Sequence, residues 1–147
     1  MSASHPRPRA RRFALWFGAL ALWGVVVVTG IVLLAVGVDQ TWYFEPTGEA
    51  ILRARAGNVL ILQGAIAVLA AAGWARCMLA PLWACSRVAS PAVLIGTLSL
   101  MFENSLLPQL SALVTLPIAV VGVVSVLILA RPLVHGDVRR ARSASRP

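Results

Sequence analysis

Lysine is absent from this chain: all thirteen of its basic residues are arginine, set against only five acids. Its two histidines, His5 and His135, lie outside every long apolar stretch, so no imidazole is available within those stretches as a general base or metal ligand. The two cysteines, Cys77 and Cys85, are too few for a disulfide framework, and thiols on a reducing side of a membrane stay unpaired. No P-loop, HExxH or GxSxG pattern occurs. No catalytic residue, cofactor or metal ligand is therefore assigned, and the chain reads as a non-enzyme.

Charge of any sign is sparse, at 12% of residues, whereas 59% are hydrophobic. The apolar residues gather in four stretches, Phe13–Val38, Gly57–Ala80, Val88–Leu107 and Leu110–Ala130. Each is close to the ~20 residues that cross ~30 Å of hydrocarbon as a helix. In lipid a lone segment must satisfy its own backbone polar groups, which makes helices the only economical spanning form here. The pattern predicts an all-α integral membrane protein. Its single domain over residues 1–147 has four transmembrane helices in an antiparallel bundle, flanked by basic tails 1–12 and 131–147.

Threading the chain through a bilayer in this way puts eleven arginines on one side and only Arg53 and Arg55 on the other, with Asp39, Glu45, Glu49 and Glu103 beside those two. Positive residues next to short loops are retained in the cytoplasm, so the N-terminus, the C-terminus and the turn around Pro81 are expected inside. The net charge of +8 then reflects topology and attraction to anionic headgroups at the cytoplasmic face rather than nucleic acid, because no aromatic side chains interleave with the C-terminal arginines for base stacking. Arg7 to Arg12 followed by an apolar run has the layout of a secretory signal. The run is longer than the ~7–15 residues of such a signal and is expected to be a retained anchor. Arginine in place of lysine, together with abundant Ala, Val and Gly, suggests a GC-rich coding genome and hence a bacterial plasma membrane. Trp42, Tyr43 and Phe44 at the outer boundary, and Phe13, Trp16, Phe17, Trp74 and Trp83 at the inner one, suit the headgroup level.

Between the first two spans, Thr47 is a candidate N-cap, and Glu49 stands four residues before Arg53 in the order that favours an ion pair. Pro91 is expected in the first turn of the third helix and Pro117 as a local bend in the fourth. Small residues form helical stripes: Ala89, Ala92, Gly96 and Ser99 in the third span, Gly57, Gly64, Ala67 and Ala71 in the second, and Ser111, Thr115, Gly122 and Ser125 in the fourth. Such stripes let helix backbones approach closely, so the third-span stripe is the expected packing surface, with backbones close at Gly96.

Glu103 continues that stripe. An ionisable group at membrane depth is a functional candidate, although Pro108 follows so soon that the carboxylate lies only ~7 Å below the turn. Arg55, Asn104 and Gln63 complete the candidate intramembrane polar site. Asn58 and Gln63, five residues apart, point about 140° away from each other and cannot serve one partner. Two readings follow. The first is a non-catalytic multi-pass protein acting through packing with itself, as a homo-oligomer, or with a larger membrane complex. The second is a small proton- or ion-coupled transporter or channel subunit using Glu103.

The arginine partition is directly testable. Reporter fusions at Ser2, Gly48, Ser86, Gln109 and Ser143 are expected to read inside, outside, inside, outside and inside. A C-terminus that reads outside would exclude the four-span threading.

Overall fold

In a computed structural model of the chain, residues 8–43, 45, 47–78, 80–102 and 105–129 are described. They form four helices, α1 (Pro8–Gln40), α2 (Gly48–Cys77), α3 (Leu82–Met101) and α4 (Leu107–Leu129), with no strand among them. All four are long and apolar enough to cross a membrane. The chain is an all-α, multi-pass integral membrane protein. Glu103, Asn104, Phe44, Pro46, both histidines and the tail from 131 onward lie outside the described residues.

Burial is arranged by size in a way that water would not allow. Ala71, Ala75 and Ala84 are fully buried, while Leu100 and Leu113 are about three-quarters exposed, at 77% and 75%. Many large aliphatic side chains turn outward because hydrocarbon solvates them as well as a protein core does, although Leu34 and Ile95 are fully buried. Small ones turn inward because association in lipid depends on close backbone contact.

Helix boundaries follow local chemistry more than hydropathy. Thr47, in extended conformation, accepts a hydrogen bond from the Ala50 N–H at 3.3 Å, so α2 starts at Gly48, well before the apolar stretch at Gly57. Helix α3 begins at Leu82, directly after Pro81 at its N-cap, and ends at Met101, so the whole helix is shifted toward the N-terminus relative to the 88–107 stretch. Arg87 is tolerated inside it because its guanidinium stacks 5.0 Å over the Trp83 ring one turn earlier, at the end of the helix. Pro91 consequently stands in mid-helix rather than in the first turn. It withholds the N–H that the Arg87 carbonyl would receive, and the Ser90 hydroxyl donates to that oxygen instead, at 2.9 Å. Pro117 lies inside α4 on its exposed side.

Helices α1 and α2 form one antiparallel hairpin and α3 and α4 a second, joined through α2 and α3, while α1 touches α3 and α4 only lightly. The tightest seam is between α1 and α2. A Cβ added to Gly37 would lie 2.8 Å from the Gly57 carbonyl oxygen, and one added to Gly57 would lie 2.8 Å from the Gly37 oxygen. About two turns away, a Cβ on Gly64 would come 2.8 Å from the Gly30 oxygen. Beyond that, Trp23 is fully buried and donates its indole N–H to the Ala71 carbonyl at 2.8 Å. Trp23, Gly30 and Gly37 are seven residues apart on α1, and Ala71, Gly64 and Gly57 are seven apart in the reverse direction on α2. A seven-residue step on both helices is the periodicity of a shallow left-handed crossing, which keeps the same faces together along the seam. Gly96, by contrast, would place a Cβ 3.7 Å from that of Ala65, an ordinary contact.

The seam predicts opposite signs for the same chemical change. Gly64→Ala sets a methyl group against backbone and is expected to lower stability toward denaturing detergent by about 1–3 kcal/mol. Gly24→Ala, with nothing within 4 Å of the added carbon, is expected to be neutral or to stabilise by up to about 1 kcal/mol through helix propensity.

Candidate functional site

The described polar side chains concentrate at the end of the bundle formed by the 41–47 loop and the 102–106 turn. A cavity of about 170 Å³ lies there, with Thr41, Tyr43, Arg55, Asn58, Ser99 and Ser105 as its polar lining and Phe102 and Pro108 among its apolar walls. Each helix contributes for a local reason. Thr41 sits where α1 ends, its hydroxyl returned to the Val38 carbonyl at 2.8 Å. Arg55 and Asn58 are one turn apart on α2, so both reach one side of that helix. Ser99 is the last buried residue of α3.

At the floor, the Ser99 hydroxyl donates to Asn58 Oδ1 at 2.9 Å, the one described side-chain-to-side-chain hydrogen bond between α3 and α2. Asn58 is half-buried and Ser99 buried, so each meets a polar group that hydrocarbon would not supply. Nearby, the Gln109 amide N–H donates to the Val38 carbonyl at 3.3 Å, tying the start of α4 to the end of α1, and its Oε1 is buried with no partner among the described residues. The 170 Å³ volume corresponds to about six waters at ~30 Å³ each, below the ~300 Å³ at which pockets for organic ligands begin. Arg55 gives the cavity a positive side, and its hydroxyl and amide groups can order water or a small polar solute.

Of the four sequence-nominated polar residues, Arg55 and Gln63 are among the described ones. Arg55 lines the cavity. Glu103 and Asn104 are outside the described residues, although their chain neighbours Phe102 and Ser105 both border the cavity. Gln63 is exposed on a different side of α2 and does not line it. Of the third-span stripe, Ala92 and Ser99 are buried and Ala89 and Gly96 half-buried. Glu49 and Arg53 both stand exposed at the start of α2, where they line a second, larger groove of about 360 Å³ with Trp42 and Thr47. They form no ion pair among the described residues. At the opposite end Cys77 is exposed and Cys85 buried, both as free thiols. Sequence reasoning missed three contributors: Trp23, Gly30 and Gly37. Their common seven-residue spacing was a readable signal, paired with the same spacing in Gly57, Gly64 and Ala71.

Comparison of the chain with protein-family models, with curated proteins and with solved structures gave no match.

The floor of the cavity yields a measurable coupling. A double-mutant cycle of Ser99→Ala and Asn58→Ala, read from unfolding in detergent, is expected to return about 0.5–1.5 kcal/mol of interaction, the range of a hydrogen bond between membrane helices. A coupling of zero would show that water in the cavity replaces the bond without loss.

Proposed function

We propose that this protein is a non-catalytic multi-pass component of the bacterial plasma membrane, acting through helix packing with itself or with a larger membrane partner. Both termini are cytoplasmic in this reading, and the arginine-rich ends of the helices rest on anionic headgroups. One observation carries it: between their ends, the described parts of the four spans contain no carboxylate, guanidinium or imidazole. The described charges sit at Asp39, Glu45, Glu49, Arg53 and Arg55 toward one end and at Arg76 and Arg87 toward the other. A proton or ion crossing this chain alone would face tens of ångströms of hydrocarbon with only scattered hydroxyls and amides, an expensive path.

Those polar groups are largely engaged in structure. Ser86, Ser90, Ser111, Thr115 and Ser125 return their hydroxyls to carbonyls of their own helices at 2.7–3.0 Å. Trp23, Ser99 and Gln109 bond across helices. The polar cavity favours a second reading, a proton- or ion-coupled transporter or channel subunit in which Glu103 works with Arg55 beside a hydrated vestibule.

Liposome reconstitution separates the two. Purified protein is expected to give no proton or cation flux above that of empty vesicles, and Glu103→Gln is expected to change nothing. A flux present in the wild type and abolished in Glu103→Gln would replace the packing reading with the transporter one.

A further inference from the structure

Gln63 occupies the costliest position of any described polar side chain in the molecule. On α2 it is 8 residues from Arg55 and 13 from Arg76, which at the helical rise is ~12 Å and ~20 Å from the charges that bracket the span. Its side chain is exposed and has no hydrogen-bond partner among the described residues. A serine or threonine at that depth can return its hydroxyl to its own helix, but a glutamine amide carries two donors and a two-lone-pair acceptor on a longer arm. Nor can the arm bridge ~12 Å to water. An unpaired amide in hydrocarbon is strongly disfavoured, so the group calls for a polar partner at the same depth.

Symmetry identifies the partner. Copies of one chain inserted by one route share an orientation, so a two-fold axis relating them must run along the membrane normal. Two such copies that meet through one helix do so in parallel, with each residue opposite itself at equal depth. A carboxamide is self-complementary: each can donate an N–H to the other's oxygen. No other occupant has a polar group delivered to that depth by geometry alone.

We propose that α2 dimerises with α2 of a second copy along the face that carries Gln63, the two amides bonding reciprocally at the centre. This deepens the packing reading above and rests on it. The residues in line with Gln63, at alternating steps of three and four, are Ala56, Val59, Ile66, Ala70 and Gly73, and all five are exposed. The alternation is that of a left-handed parallel pair. A Cβ on Gly73 would meet nothing within 4 Å, so the chain's own fold does not require a glycine there, whereas a close second helix would. The seam with α1 uses the other side of α2, through Gly57, Gly64 and Ala71, and is left undisturbed.

Cysteine crosslinking of the full chain in native membranes, in a Cys77→Ser, Cys85→Ser background, tests the interface. Single cysteines at Val59 and Ala70 are expected to give disulfide dimers under oxidation, and a cysteine at Leu113 of α4, which is more exposed than Val59, is not. Gln63→Leu, which removes no hydrogen bond among the described residues of the monomer, is expected to weaken dimerisation about tenfold as read by single-molecule counting in supported bilayers. Dimers that crosslink only through Leu113 and ignore Gln63→Leu would overturn this interface while leaving self-packing intact. A wild type that counts as monomer at every density would overturn the dimer altogether, and co-purification from membranes in mild detergent would then report whether a different partner upholds the packing reading.

Discussion

The glycine seam between α1 and α2 is the contact on which the remaining geometry depends. In hydrocarbon nothing drives two apolar helices together merely because they are apolar, so attraction must come from dispersion at short range and from polar contacts between backbones. Gly37 against Gly57 and Gly30 against Gly64 bring carbonyl oxygens to within 2.8 Å of where a Cβ would stand, which places Cα–H groups against the facing carbonyls. The indole of Trp23 locks the far end by bonding to Ala71. With three contacts in a common seven-residue register, the hairpin cannot slide by a turn without losing all of them at once. That fixed register sets where α1 ends and therefore where Thr41 and Tyr43 meet α2, α3 and the start of α4.

Around this seam, polar groups are used sparingly and mostly in pairs. Ser90 answers the carbonyl left by Pro91, and Ser99 and Asn58 answer each other. Gln109 closes the lightly packed gap between α4 and α1 with one donor, leaving Oε1 buried near the same end of the bundle with no partner among the described residues. Concentrating amides and hydroxyls at that end creates a small polar cavity next to the loops. Among the described residues Gln63 alone breaks the pattern by presenting an amide outward at mid-span. The contrast between an inward polar cluster and an outward solitary amide separates two roles on one helix, internal cohesion on one side and association on the other.

Four helices, their spanning length and the cap at Thr47 were legible in the sequence, because hydropathy over ~20 residues and a hydroxyl before a helical run are local properties. The limits of α3 were not. Pro81 starts that helix six residues before the apolar stretch does, and Arg87 is held inside it by Trp83, an interaction that hydropathy counts as a boundary. The polar site was legible only as a list of residue types near one end. Arg55 reaches the cavity and Gln63 does not, a distinction that depends on where α1 and α3 lie around α2. Asn58, set aside when paired with Gln63, finds its partner in Ser99, forty-one residues away in the chain.

Sequence alone determined that this chain crosses the membrane as helices, since each span must satisfy its own backbone in lipid and that requirement involves no other segment. It also marked which residues on each helix are small. Which small residues meet was decided only by tertiary structure. Periodicity fixes the face of a helix on which a glycine lies, but close approach is a property of two helices and their shared register. The closest fit therefore fell on Gly30, Gly37, Gly57 and Gly64 rather than on the stripe through Gly96.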